Sequence, residues 1–244
     1  MIPHNLKIQL LFVVCTLFIA FPQCSVFAQN RRTPPGGRVA VVVDERLAVL
    51  RSTPHLSGKL VRRLGRGRLV AIRMAKTNKD GIVFFLVNIN SRTHGWIQRE
   101  ALVSSSHRGD DQRLLRLIES SKEFDRISRA RIFLDEFPRS PLRPEVLLIL
   151  GDAAEEACAK LSREAARRLD IGAGVAPAFS YFLNYRGLDR YSRQGIGFVF
   201  DRETKQYHYD GAAWREILRR FPHAPQAAEA EKRLTHLPAS ASEP

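Results

Sequence analysis

Cysteine is nearly missing from this chain of 244 residues, with three in all, at positions 15, 24 and 158. Cys15 and Cys24 belong to an apolar leader, so the mature chain keeps Cys158 alone. One thiol closes no internal bridge, and the fold must rest on packed cores. Long apolar runs are missing as well. The longest, Leu10 to Phe21, has 12 residues, against roughly 20 needed to cross a bilayer. The chain also lacks HExxH, GxSxG, CxxC and phosphate-loop signatures. Its histidines (His107, His208, His223 and His236 among them) have no metal-ligand spacing. No catalytic residue, cofactor or metal is expected. Tyrosine is absent before Tyr181, and between Gln29 and Gly109 the only aromatics are Phe84, Phe85 and Trp96. Nucleic acid is not an expected partner, because export removes the usual target and stacking aromatics are scarce.

What is present begins with an address. Lys7, the apolar run and Val26-Phe27-Ala28 make a charged start, an apolar middle and a small-residue exit, the pattern of a secretory signal peptide over residues 1–28. Phe21-Pro22-Gln23 before Cys24 does not read as a lipoprotein approach. The expectation is an exported, periplasmic or extracellular protein with no transmembrane segment in its mature chain.

Charge is distributed unevenly. Residues 29–109 hold 16 Lys plus Arg against 4 Asp plus Glu, a balance of +12, whereas residues 110–244 hold 22 against 21. This shift, with the polar stretch "SSSHRGDD", marks a boundary near 104–110. After a linker over 29–37, short apolar runs alternate with turns: "RVAVVV", "RLAVLRS", "KLVRRLGRG", "RLVAIRM", "IVFFLVNI" and "GWIQ". Such spacing predicts a small antiparallel barrel over 38–104, with Asp80-Gly81 in a tight hairpin.

Leu50-Arg51-Ser52-Thr53-Pro54, Leu60-Val61, Gly67, Gly95-Trp96-Ile97 and Ala101-Leu102 follow the order of motifs in bacterial Src-homology-3-like domains, which this segment resembles. The resemblance implies a small barrel plugged by Trp96, with a ligand platform as the other role for that ring. It also implies cell-wall or peptide binding, as in exported bacterial members. Proline-rich recognition does not suit a module with so few aromatics. The basic residues Arg62, Arg63, Arg66, Arg68 and Arg73 are the candidate contacts to peptidoglycan or another anionic envelope polymer.

From Asp110 on, the pattern is helical. Asp110 and Asp111 suit a helix start, where the dipole favours negative charge. "LLRLIESSKEF", "ISRARIFLDEF" and the run from Pro141 to Leu169 carry apolar residues three and four apart. Cys158 falls in one stripe with Ala154, Leu161 and Ala165, a small buried hydrophobe. Glu156 with Lys160, and Glu164 with Arg168, are spaced for ion pairs on the wet face. Phe137-Pro138-Arg139-Ser140-Pro141 is echoed by Phe221-Pro222-His223-Ala224-Pro225, 84 positions later. These phrases resemble tetratricopeptide-like helical repeats of periplasmic assembly proteins, which implies a scaffold that binds a protein partner. The spacing calls for a long insertion, or a degenerate middle repeat, over about 170–209. It is rich in aromatics, and Phe198/Phe200 and Tyr207/Tyr209 alternate around a turn as in a β-hairpin. Tyr181, Tyr185 and Tyr191 are candidate rings for stacking on a sugar or clamping a peptide, against the plainer role of covering helix ends.

The fold expected is therefore multidomain α+β: a small antiparallel β-barrel followed by an all-α tetratricopeptide-like helical repeat domain (110–244) with an aromatic-rich insertion. The function expected is a non-enzymatic binding or scaffold protein of the cell envelope. The alternative is a cell-wall or glycan hydrolase built on the 179–210 region, with Asp201, Glu203 and His208 as its polar groups.

Overall fold

The computed structural model describes Pro34 and residues 36–171 and 179–237; the leader expected over 1–28 lies outside the described residues. Alternating side chains draw the first third into strands: β1 (Arg38–Val42), β2 (Val49–Arg51), β3 (Leu60–Arg63), β4 (Leu69–Thr77), β5 (Val83–Asn88), β6 (His94–Gln98) and β7 (Leu102–Val103). One set of alternate positions, including Ala40, Val42, Leu50, Val70, Ile72, Val87 and Ile97, closes on itself as a buried core. Each such aliphatic side chain contributes about 1.5–3 kcal/mol when fully buried.

The expected closed barrel is not what forms. The strands make one open antiparallel sheet in the order β3-β2-β6-β5-β4-β1-β7. Its two edges do not meet, for two local reasons. The β3 strand is four residues long, exposed throughout and carries Arg62 and Arg63, which cost too much to bury unpaired. The β7 strand is two residues long and pairs only with β1 before the chain turns into helix.

The sheet's second face is covered at one end. Val41, Val43 and Val103 join the core of the helical region, with Leu69 packed against it. That region starts with α1 (Asp110–Glu119) and α2 (Glu123–Glu136) and turns into the long α3 (Arg143–Ile171). After the described segment resumes come α4 (Phe179–Leu183), α5 (Asp189–Ser192), the hairpin β8 (Phe198–Asp201) and β9 (Gln206–Tyr209), and finally α6 (Ala212–Arg220) and α7 (Gln226–Thr235).

The two echoed phrases build the same corner. Phe137 N–H donates to Phe133 O at 2.9 Å and Phe221 N–H to Ile217 O at 2.7 Å, each closing a helix. Ser140 and Ala224 then donate to the carbonyls of those two phenylalanines. Proline at Pro138 and Pro222 removes the next donor, so the helix cannot continue. Cys158 is 2% exposed on the inner stripe of α3 with Ala154, Leu161 and Ala165. Burial pushes its thiol far above the ordinary range, which makes it inert packing. The described residues belong to one compact unit.

Candidate functional site

The end of the sheet that no helix covers carries a continuous row of side chains. Residues directly opposite each other in an antiparallel pair share a face. Leu60 on β3 faces Arg51 on β2, and Arg51 faces Trp96 on β6. Trp96 in turn faces Leu86 on β5, and Leu86 faces Met74 on β4. The row crosses five strands. Leu60 is 50% and Met74 52% exposed, and Arg51, Trp96 and Leu86 are half-buried.

Local irregularities create this row. Between Ile72 and Met74 the register skips Arg73, a bulge. Without it Met74 would follow Ile72 into the core, because side chains two apart in a regular strand share a face. A second shift skips Val61 and sets Leu60 beside Arg51. At Gly95 a Cβ would lie 2.8 Å from both Leu50 Cγ and Arg51 O. Glycine there lets β2 lie close enough to β6 for Arg51 to flank Trp96. Leu56 and Val61, also exposed, extend the apolar corner at β3.

Cations frame it. Arg62, Arg63, Arg68 and Arg73 are all exposed. No side chain among the four has a hydrogen-bond or ion-pair partner among the described residues. Arg63 lies opposite Val49, two residues from Arg51, and so on the row's own face. Arg51 is braced by donating from Nη1 to Gly58 O at 2.9 Å.

Arg66 does not belong with them. Its side chain is 9% exposed, donating to Asp125 at 2.8 Å and Glu45 at 3.2 Å. It fastens the sheet to α2. With Asp44, Arg46, Ser121 and Arg129 it lines a polar cleft of about 220 Å³ whose arginines and carboxylates are paired with one another. Trp96 is not a buried plug either. Ile97, fully buried, takes the core position, and Trp96 points to the other face.

The tyrosines lie elsewhere. Tyr191 is 1% and Tyr185 4% exposed. Tyr191 meets Phe124 and Phe198 edge-on, and Tyr185 stacks with Tyr207. Burial pushes both phenols upward. Tyr181 is half-buried and meets Phe182 edge-on. Tyr185 and Tyr191 have no free face on which a sugar stacks.

The polar groups of the hydrolase alternative are engaged locally. Asp201 accepts from Glu203 N and Thr204 Oγ1, both at 2.8 Å, and these bonds hold its carboxyl below the usual range. His208 lies 3.5 Å from Glu155. Ser104, His107 and Asp110 cluster at the joint between sheet and helices, yet Ser104 Oγ donates to Val39 O at 2.6 Å. His107 Nε2 faces Arg99, and Asp110 accepts from Ser104 N at 2.9 Å. That arrangement ties the joint and presents no nucleophile to an imidazole.

Comparison with protein-family models, with curated proteins and with solved structures finds no match. The site therefore stands on its geometry. Sequence reading found the arginines but missed Leu60, Leu86 and Met74, because strand alternation alone assigns such residues to a core.

Proposed function

We propose that this chain is an exported, non-enzymatic binding protein of the cell envelope, and that the uncovered sheet face is its contact surface for an anionic envelope polymer such as peptidoglycan. The helical region serves as its second surface, for a protein partner. The observation that carries this reading is the row Leu60–Arg51–Trp96–Leu86–Met74, open to solvent, with Arg63 on its own face and Arg62 and Arg73 beside it, all without acidic partners. Apolar surface grouped in this way favours contact, and unpaired guanidiniums supply planar, bidentate donors for carboxylate and phosphate oxygens.

The test is co-sedimentation of the intact chain with purified sacculi across a salt series. Surface attraction should fade as the Debye length drops from about 10 Å at 0.1 M to about 3 Å at 1 M. Changing Arg62, Arg63, Arg68 and Arg73 together to Glu should abolish low-salt binding. Arg66 is left intact because its loss loosens the fold itself. Trp96→Ala should weaken the salt-resistant remainder. Wild-type protein that stays in the supernatant at low salt would overturn the reading.

A further inference from the structure

A second cationic site lies away from the sheet, where α3 passes the α4–α5 connection. Lys160, Glu164, Arg168, Tyr185, Arg186, Gly187 and Arg190 line a cleft of about 290 Å³. We infer that this cleft binds a phosphate monoester group.

Three features point there. The first is the charge count. Lys160 is neutralised by Glu123, donating to both carboxylate oxygens at 2.9 and 3.0 Å. Glu164 is the other carboxylate of the cleft, and it makes no ion pair among the described residues. The helical spacing that suits Glu164 to Arg168 is not used. Arg168, Arg186 and Arg190 thus oppose one free carboxylate, an excess of two positive charges that matches a dianion. A monoanionic carboxylate would leave one of them unmatched.

The second is preorganisation. Arg190 lies over the rings of Phe124 at 5.2 Å and Tyr191 at 4.7 Å and donates to Tyr191 Oη at 2.8 Å. Arg168 lies over Tyr185 at 5.6 Å. Stacked guanidiniums keep most of their N–H edge free for an oxyanion, with less rotamer freedom to lose. The third is the floor. A Cβ at position 187 would lie 2.3 Å from Tyr185 Cε1, so only glycine lets the chain lie flat on that ring. The result is a shallow, aromatic-floored cleft of about the smallest size that small-molecule sites show.

Glycerol 3-phosphate is the probe, titrated into the intact chain at low salt by calorimetry, with glucuronate as the carboxylate arm. Saturable binding of the phosphate ester, with glucuronate at least about tenfold weaker, is the expected result. Arg168→Gln and Arg186→Gln should each weaken it about tenfold, the loss of one charged hydrogen-bonding group. Both side chains are exposed, so their thermal transitions should match the wild type. The Arg62, Arg63, Arg68, Arg73 quadruple variant must keep full phosphate affinity, which separates this site from the sheet face. No saturable binding, equal binding of glucuronate, or loss of affinity only in the quadruple variant would overturn the inference.

Discussion

At Gly151 the ring of Trp214 lies against the α3 backbone so closely that a Cβ would meet its Nε1 at 2.3 Å and its Cε2 at 2.6 Å. Trp214 is 1% exposed, so neither partner can retreat without opening the core. Gly151→Ala should therefore destabilise the protein by about 1–3 kcal/mol, the usual penalty of overpacking. At Gly65, by contrast, a methyl group would meet no atom within 4 Å, and the backbone φ is not left-handed. Alanine there should be neutral or gain up to about 1 kcal/mol by restricting the unfolded chain. Denaturant midpoints of the two variants check both signs. The two tryptophans differ in how plainly their surroundings show in sequence. Trp96 and Trp214 each follow small residues, but Trp96 sits in an alternating strand whose two faces look alike. Trp214 sits in "AAWREIL", where Ala213 and Ile217 complete an inward stripe. Helical periodicity tells the buried tryptophan from its neighbours, whereas strand alternation cannot say which face is covered.

Elements were legible where turn chemistry was explicit. The runs around Asp80-Gly81 became β4 and β5, and Gly81 takes a left-handed φ of 77°. The proline phrases became matching corners, and the alternating aromatics became β8 and β9, in register from Phe198–Tyr209 to Asp201–Gln206. The bulges at Val61 and Arg73 left no such mark, and they decide which apolar residues reach solvent. Nor does spacing show what the hairpin does for its neighbour. Tyr209 Oη accepts from Ala213 N–H at 2.7 Å in the first turn of α6, and Tyr209 N–H donates to Glu155 at 2.8 Å. Tyr209→Phe removes the acceptor and strands a buried N–H, at a cost of about 1–3 kcal/mol. The half-buried Tyr181 changed to Phe should cost less than about 0.5 kcal/mol. Thermal or chemical unfolding of the pair tests whether the hairpin holds α6 in place.

At the scale of the whole molecule, the change from sheet to helix falls where the charge balance shifts, between Val103 and Asp110. Charge counting says nothing of packing across that joint. Val41, Val43 and Val103 lie in the helical core, and the buried Arg129 of α2 donates from Nε to Val43 O at 3.1 Å and from Nη1 to Ser121 Oγ at 2.6 Å. Such sharing predicts that sheet and helices unfold in one transition. Beside Arg129, the Arg66–Asp125 bond crosses between them at 2.8 Å. That bond holds the Asp125 carboxyl below its ordinary value near 3.8, although burial opposes it, and Arg46 does the same for Asp44. A carboxyl whose folded value is depressed adds stability above its unfolded value, and that stability is lost as pH falls through the folded one. The protein should thus hold a level stability down to about pH 4 and lose it below, as these two clamps take up protons. Asp125→Asn should be less stable at pH 7 and show a shallower fall between about pH 4 and about pH 2. Urea unfolding at several pH values, followed by tryptophan fluorescence and by far-ultraviolet circular dichroism, measures both. An unchanged acid slope in Asp125→Asn would show that the clamp contributes nothing, and separated transitions by the two probes would show that sheet and helices do not share one cooperative core.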